Sequence, residues 1–261
     1  MAVKYFVLAD VHSFYDEMMK VLDEKGFEID NLEHHVVLCG DAFDRGPKPK
    51  EVFGFLRKLD DEARLTYIIG NHELLLIGAI DSVCKMRGLQ ECDETNGTLD
   101  TITAFTGLYK NDLNYHNFMA RELYPIYDVI DFVKEKGVYY KEIGDKLLVH
   151  GWVPVNEDGP YYETATKADW ESAVWSNGME YWKDTRNRVA GKTVICGHFH
   201  ASYGNARIHK DSEEFPARHS EACKVSFRPF VDDGIIAMDS NVVYSGFCNC
   251  IVLDESGVEV S

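Results

Sequence analysis

The sequence predicts an α/β fold that carries an inserted helical segment, and three observations support this. Short apolar runs alternate with amphipathic stretches up to about residue 80, a long stretch that looks helical interrupts the alternation, and strand-like runs return after it. A chain of 261 residues can also bury a substantial core. We therefore expect a single domain over 1–261 with a helical cap inserted at about 81–137.

Before the cap, each strand candidate is followed by a helix candidate. The strand candidates are short apolar runs, whereas the helix candidates repeat apolar residues at helical spacing. In chain order the six segments are 4–9, 14–22, 35–39, 52–59, 65–69 and 73–80. This order predicts parallel strands that are joined by right-handed crossovers.

The cap is predicted to consist of helices. Three segments look helical: 99–109, 111–123 and 126–136. Because segments inserted into a rigid scaffold often select the substrate, we expect the cap to have that role. Strand candidates resume beyond the cap at 138–143, 145–150, 193–196, 234–238 and 247–253.

Charge and apolar content exclude several classes of protein. The formal net charge of −17 opposes nucleic-acid binding, which depends on Lys and Arg contacts to phosphates. No run of about 18 apolar residues is present in the sequence, so we expect no membrane span.

The seven cysteines form no C-x-x-C pair, and the apolar run at the N-terminus is too short for a signal peptide. These features predict reduced thiols and a cytoplasmic location.

Five short motifs contain side chains that commonly bind metals, and four of the five follow an apolar or β-branched run. Asp and Asn oxygens together with His nitrogens form a ligand set that suits manganese, iron and zinc. Polar residues at the carboxyl ends of parallel strands meet at one edge of a sheet, where ligands bind. In chain order the motifs are Asp10-Val-His12, Gly40-Asp41-Ala-Phe-Asp44-Arg45-Gly46, Gly70-Asn71-His72-Glu73, His150-Gly151 and Gly197-His198-Phe-His200.

The spacing of these residues predicts a centre with two metal ions. Asp10 and His12 lie two residues apart at a strand end, so their side chains can point to one side and share a metal. Asp41, at the neighbouring strand end, can bridge to a second metal. A water molecule that bridges two such ions, about 3.5–4 Å apart, ionises near neutral pH, and the hydroxide can attack phosphorus directly. The shell of the second metal would be completed by Asn71, His150 and His198.

Three further residues of the motifs suit phosphoester hydrolysis. His72 directly follows Asn71 and could protonate the leaving oxygen. Asp44 could orient this imidazole and raise its pKa, and Arg45 offers a planar guanidinium to two phosphate oxygens. We therefore predict His72, Asp44 and Arg45 as catalytic residues.

These motifs resemble those of the calcineurin-like metallophosphoesterase superfamily, and in particular of its phosphoprotein phosphatase branch. That branch carries Gly-Asp-x-His-Gly, Gly-Asp-x-x-Asp-Arg-Gly, Gly-Asn-His-Glu, His-Gly and a late Gly-His. The second and third motifs match fully, whereas the first is altered to Ala9-Asp10-Val-His12-Ser13. The resemblance spans about residues 5–253 and implies a β-sandwich flanked by helices, with two metal ions at its edge.

The resemblance implies the same metal and catalytic roles as the residues themselves, with Asp41 shared by both metals. It adds His200, because in the wider superfamily the second His of Gly-His-x-His joins the first metal. The spacing of His198 and His200 predicts that both rings lie on one side of an extended segment, where each could reach a different metal. The chain also departs from the pattern, since the branch often has a second phosphate-binding Arg shortly after a Trp. Here Trp175-Ser-Asn177 stands in that region without an Arg. Arg186 and Arg188 are candidates to replace it.

The resemblance implies a metal-dependent phosphomonoesterase, and we favour a serine/threonine protein phosphatase that uses a metal-bridging hydroxide and the His72–Asp44 acid pair. Its substrates would be phosphorylated proteins or small phosphoesters. One alternative is a symmetrical dinucleoside tetraphosphate hydrolase, which shares the architecture and often the Arg45-Gly46-Pro47 sequence but tends to lack the Asp at position 44. Another alternative is a metal-binding interaction module that has lost catalysis.

Overall fold

Two five-stranded β-sheets form the centre of the fold in a computed structural model, which describes residues 3–114 and 124–260. The strands are β1 Lys4–Leu8, β2 His34–Cys39, β3 Leu65–Ile68, β4 Gly137–Val138, β5 Lys141–Ile143, β6 Lys146–Leu148, β7 Val155–Asn156, β8 Gly159–Pro160, β9 Thr193–Cys196, β10 Phe230–Asp232, β11 Ile235–Ala237 and β12 Cys250–Asp254. The strand order is β12-β1-β2-β3-β4 in the first sheet and β10-β11-β9-β6-β5 in the second. β7 and β8 pair with each other.

Helices surround the two sheets. They are α1 Tyr15–Glu24, α2 Pro49–Asp61, α3 Asn71–Cys84, α4 Glu91–Thr95, α5 Thr98–Thr106, α6 Tyr124–Lys136, α7 Lys167–Ala173, α8 Gly178–Lys183, α9 Glu221–Ser226 and α10 Val242–Ser245. Shorter 3-10 turns cover Lys110–Asp112 and Thr185–Asn187, and a π-helical segment covers Gly204–His209. Across the two described ranges, no helix combines the length and apolar character that a membrane crossing requires.

The predicted parallel arrangement of the first three strands is confirmed. β1, β2 and β3 are parallel neighbours in chain order, with Val7 of β1 opposite Val37 of β2. α1 and α2 connect these strands, and β12 closes the outer edge by pairing antiparallel with β1. Consecutive strand ends therefore lie side by side at one edge of the sheet.

The alternation of side chains along β1 explains how the layers form. Phe6 and Leu8 pack into a cluster with Met18 of α1, whereas Val7 lies in a separate cluster with Ile195 of the second sheet. Successive side chains of a strand point to opposite faces, so one run of apolar residues fills both layers. The expected β-sandwich with flanking helices is thus confirmed.

The strand predicted at 138–143 is divided between the two sheets. β4 pairs parallel with β3, and β5 pairs antiparallel with β6. At the crossing, the rings of Tyr139 and Tyr140 stack on Trp170, with centroids 5.9 and 5.3 Å away. These two aromatic side chains form a packed corner, which the apolar pattern alone did not distinguish from a continuous strand.

Helices also occupy most of the described part of the predicted cap. α3 continues to Cys84, and α4, α5 and α6 follow it. Phe105 of α5 packs against Phe43 and Phe53, with ring centroids 6.4 and 5.8 Å apart, so this helix contacts the core directly. The helix predicted at 111–123 lies largely outside the described residues. The division into one domain and an inserted cap stays a prediction.

Candidate metal centre

The motifs that follow β1 and β2 are joined by backbone hydrogen bonds. The N–H groups of Asp10 and His12 donate to the carbonyls of Gly40 and Asp41, at 3.2 and 2.9 Å. Asp10, His12 and Asp41 are all buried. The two strand ends therefore hold their polar side chains in one protected place.

These loops have an unusual backbone. Among the described residues, twelve non-glycine residues have a positive φ, and seven of them belong to the predicted motifs or directly adjoin one. Such conformations cost about 1–3 kcal/mol each and are concentrated at functional sites. The seven are Asp10, His12, Ser13, Asp41, Asp44, Arg45 and His198.

Asp41 lies between two groups of potential metal-binding atoms. Its Oδ2 is 3.6 Å from His12 Nε2 and 3.9 Å from His72 Nε2, and its Oδ1 is 3.4 Å from His150 Nε2. The first group consists of His12, Asp41 and His72, and the second consists of Asp41, His150 and His198; within each group the candidate ligand atoms lie within 4.8 Å of one another. Asp10 belongs to neither group, so its role as a ligand stays a prediction. Asp41 thus belongs to both groups, as a bridging carboxylate would.

In two of these histidines, a hydrogen bond on the side of the ring away from Asp41 determines which nitrogen carries the proton. Nδ1 of His12 donates to the carbonyl of Phe43 at 3.0 Å, and Nδ1 of His150 donates to the carbonyl of Cys39 at 2.8 Å, because a carbonyl can only accept. In the neutral imidazoles, Nε2 therefore carries the lone pair that faces Asp41. This is the arrangement by which a second hydrogen bond orients a metal-binding histidine.

Asn71 lies against the second group, and its contacts also suit a metal site. Its Oδ1 lies 3.0 Å from His150 Nε2 and 2.8 Å from His198 Nδ1. When the His150 ring is neutral, its proton is on Nδ1, so the contact with Asn71 brings two acceptor atoms together. A cation among these atoms would turn the repulsion into coordination, so the residues present fit a divalent metal ion.

Burial and neighbouring charges keep these side chains in the protonation states that bind metals, which are the neutral imidazole and the ionised carboxylate. Burial lowers the pKa of His12 well below its usual value and lowers the pKa of His198 to about 4, so both imidazoles are neutral. Burial alone would raise the pKa of Asp41, but the positive charge that the surrounding histidines carry when protonated, that of His150 first, holds this pKa below its usual value. Asp41 is therefore a carboxylate.

His72 and Asp44 form the predicted acid pair. Nδ1 of His72 donates to Asp44 Oδ2 at 2.7 Å, and both side chains are buried. Burial alone would lower the pKa of His72, but Asp41 and the hydrogen bond to Asp44 raise it above its usual value. The hydroxyls of Thr98 and Thr101 in α5 donate to Asp44 Oδ2 and Oδ1 at 2.8 and 2.6 Å. No local sequence pattern indicated these two partners of Asp44, which lie more than fifty positions away in the chain.

The Arg45 guanidinium lies at the same place. Its Nη1 donates to His12 Nε2 and its Nη2 donates to His72 Nε2, both at 2.9 Å. The backbone nitrogen of Arg45 lies so close to Gly97 that a Cβ there would collide with it. Arg45 is thus placed within reach of a phosphate that contacts the centre.

Glu73 holds the strand ends in register, a role that the sequence analysis left unassigned. Its carboxylate accepts hydrogen bonds from the backbone N–H groups of Gly70, Asp41 and Ala42 at 2.7–2.9 Å. It occupies the third position of α3, where a Glu commonly bonds back to the residue that caps the helix. That position was the signal that could have identified it.

Asp239 is a buried carboxylate that the sequence analysis missed. Burial raises its pKa to about 6, and burial followed by the charge of Asp239 raises the pKa of Asp10 well above its usual value. Asp10 is held on its other side by the backbone N–H of His198, at 2.9 Å from Oδ1. Asp239 directly follows the strand predicted at 234–238, so the rule that identified Asp10 applies to it as well.

His200 lies apart from these groups. Its Nδ1 is 2.8 Å from the hydroxyl of Ser202, its Nε2 is 3.9 Å from Glu214 Oε1, and its ring lies against Phe199 and Phe215. It belongs to neither of the two groups around Asp41. The structure does not bring His200 to the other candidate ligands, and its role as a ligand stays a prediction.

A turn separates the two histidines of Gly-His-x-His. The N–H of Phe199 donates to the carbonyl of Gly197 at 2.7 Å, and His198 between them has a φ of 64°. These are the features of a three-residue γ-turn. The segment is therefore not extended, and the expected alignment of His198 and His200 is wrong.

Arg186 and Arg188 also contact residues outside the centre. Arg186 pairs with Asp184, and the guanidinium of Arg188 lies over the Trp182 ring at 4.5 Å. The Arg188 Nε also donates to the Trp182 carbonyl at 3.1 Å. Neither contact supports the idea that one of them replaces the phosphate-binding Arg.

Comparisons with known proteins agree with this geometry. An asymmetrical bis(5'-nucleosyl)-tetraphosphatase, PrpE, of Bacillus subtilis is 35% identical over 207 residues, which cover 74% of this chain and 78% of that protein. Its counterpart in Bacillus velezensis is 26% identical, with coverage of 74% and 76%. A solved structure described as a candidate diadenosine tetraphosphatase shares the fold, with a TM-score of 0.53, 13% identity and coverage of 100% of this chain and 93% of that one.

A family model described as calcineurin-like phosphoesterase matches residues 3–221. The match covers the motifs that end all three strands β1–β3 as well as those that follow β6 and β9. The chain therefore belongs to the calcineurin-like phosphoesterase family.

Proposed function

We propose that this protein is a metal-dependent hydrolase that cleaves dinucleoside tetraphosphates. The observation that carries the reaction class is the position of Asp41, which is shared by two groups of metal-binding atoms. The substrate class rests on the relatives, because those that align over about three quarters of their own length are named bis(5'-nucleosyl)-tetraphosphatases. This proposal replaces the protein phosphatase that we favoured from the sequence.

The residues of the centre have two roles, and the first is to hold the metal ions. Metal ions would supply Lewis acidity and a nucleophile from water at neutral pH. Manganese, iron and zinc all suit the ligand types. One ion would be held by Asp10, His12 and Asp41, and the other by Asp41, Asn71, His150 and His198.

The side chains beside these ligands would act on the substrate. The two η-nitrogens of Arg45 contact Nε2 of His12 and Nε2 of His72. A metal on His12 and a proton on His72 would displace these contacts, and the planar fork could then bind two oxygens of a phosphate brought to the centre. His72 would give a proton to the leaving oxygen, and Asp44 keeps the imidazole in the orientation for this step.

A phosphoanhydride needs this proton less than a phosphoserine does. Its leaving group is a phosphate, which is far more acidic than the alkoxide of serine. The intact His72–Asp44 pair therefore favours a second candidate function, hydrolysis of phosphoserine or phosphothreonine in proteins, in which protonation of the leaving group matters more.

The test is a direct comparison of substrates. The purified protein with manganese is assayed against diadenosine tetraphosphate and a phosphoserine peptide, and nucleotide products are separated by chromatography. We expect a higher kcat/KM for diadenosine tetraphosphate, with AMP and ATP as products, since the relatives are named asymmetrical. Two molecules of ADP would assign symmetrical cleavage instead. Activity on the peptide alone would contradict the proposal.

A further inference from the structure

Trp175 differs from the other tryptophans of the chain. Trp152, Trp170 and Trp182 are buried, whereas 48% of the Trp175 surface is exposed. An indole carries a large apolar surface, and its exposure loses the stabilisation that burial would give. The exposed indole leaves a flat apolar surface that a ligand can cover.

This indole lies beside the candidate metal centre. Its ring is 6.3 Å from the ring of His198, at an angle of 80°. A ligand on the indole would therefore be continuous with a phosphate at the metals.

Trp175 forms one wall of a cavity of about 210 Å³. Leu74, Leu75 and Gly78 of α3 line the same cavity, as do Gln90 and Cys92. α3 begins with Asn71 and His72, so the cavity follows the helix away from the centre. Gly78 is about 10 Å from Asn71 along the helix axis, at 1.5 Å per residue.

We propose that this cavity binds one nucleobase of the substrate, stacked on Trp175 with Leu74 and Leu75 at its other side. A purine is a flat bicyclic ring system similar in size to the indole itself, and stacking on an aromatic side chain tolerates any base. Gln90 offers an amide that can both donate and accept hydrogen bonds at the edge of the base. The choice of ligand rests on the proposed function, because a dinucleoside tetraphosphate presents a base on either side of its phosphates.

Gly78 provides a test that does not disturb His198. A Cβ at Gly78 would meet no atom within 4 Å, so Gly78→Leu places a side chain in the cavity without a collision with the fold. Gly54 of α2 is a matched control, because it is also an exposed glycine inside a helix with open space around it. Gly54→Leu changes the same residue type far from the cavity lining.

The experiment measures dissociation constants of AMP and inorganic phosphate with the manganese-loaded protein by calorimetry. The preference for AMP is the dissociation constant of inorganic phosphate divided by that of AMP. This ratio isolates the contribution of the nucleoside, since the phosphate is common to both ligands. We expect Trp175→Ala to lower the preference for AMP by about 5- to 150-fold. Trp175→Phe should restore most of that preference. Gly78→Leu should also lower the preference, by about tenfold, and Gly54→Leu should match the wild type.

An AMP preference that is absent from the wild type, or equal in all variants, would overturn the proposed base site. This result is independent of turnover, so it is distinguishable from a failure of the proposed function. If diadenosine tetraphosphate is not hydrolysed but the AMP preference follows the variants as expected, the base site stands and the assigned reaction is wrong. A loss of phosphopeptide binding in Gly78→Leu, with AMP binding intact, would assign the cavity to a peptide.

Discussion

The two sheets contribute to the metal centre in different ways. On the first sheet, the candidate ligands follow three parallel strands that are neighbours both in sequence and in space. On the second sheet, His150 and His198 are held largely by the first sheet. Nδ1 of His150 donates to the carbonyl of Cys39 in β2, and the N–H of His198 donates to Asp10.

Close contacts also show that the histidines of the second sheet depend on the first sheet for their positions. A Cβ at Gly197 would collide with the Asp10 carboxylate, and a Cβ at Gly40 would collide with the His150 ring. The first sheet thus builds its half of the centre from local turns, whereas the second half is completed only where the sandwich closes. The largest effects are expected from residues that serve both halves.

Asp41→Asn should have the largest effect, because Asp41 is the residue that both groups share. The amide keeps the shape but loses the negative charge that binds both ions. We expect kcat/KM to fall by more than about 1,000-fold, since the metals supply several kcal/mol of transition-state stabilisation. Elemental analysis should show less than the wild-type metal content. Full metal content with unchanged activity would show that Asp41 does not bridge.

His72→Asn tests the first-sheet half alone. We expect metal content to stay at the wild-type level and kcat on a phosphoserine peptide to fall by about 100-fold or more, which is a usual loss for a general acid. The loss should be smaller on diadenosine tetraphosphate and on nitrophenyl phosphate, whose leaving groups need little protonation. Equal losses on all three substrates would exclude an acid role for His72.

Thr101→Val tests how α5 supports that half. The change keeps the size of the side chain and removes two hydrogen bonds to Asp44, one of 2.6 Å to Oδ1 and one of 3.0 Å that the backbone N–H of Asp44 donates. We expect kcat to fall by about tenfold, as for the loss of a hydrogen bond to a charged group. Thr103→Val is the control, because its hydroxyl bonds only to a carbonyl of its own helix among the described residues. Similar effects of both variants would mean that the helix matters and the Asp44 contact does not.

His200→Ala should have the smallest effect. The His200 ring contacts Ser202 and Phe215 rather than the groups around Asp41, so both metals should remain and kcat should change by less than about threefold. Metal content and steady-state kinetics check this. The loss of one ion would instead support the ligand role that the sequence predicted.

The difference between the two sheets also explains which site residues the sequence could predict. Asp10, Asp41 and Asn71 were identified because polar residues that end parallel strands meet at one edge, and that rule depends only on local pattern. Asp239 obeys the same rule and was identifiable, but it belongs to none of the recognised motifs. Glu73 was identifiable from its position in the first turn of α3.

The remaining features depend on contacts between distant segments. Thr98 and Thr101 reach Asp44 across more than fifty positions in the chain, and no local pattern indicates such a contact. The alignment of His198 and His200 was predicted for an extended segment, whereas His198 adopts a positive φ in a turn. Left-handed backbone is uncommon at residues other than glycine, so sequence spacing gave no sign of it.

The most direct test of the account is a crystal structure of the manganese-loaded protein, with the ions located by anomalous scattering. We expect two ions about 3.5–4 Å apart, both bound to Asp41. His12 would bind one ion, and Asn71, His150 and His198 would bind the other. A single ion, or two ions without Asp41 between them, would contradict the claim that the centre is built where the two sheets meet.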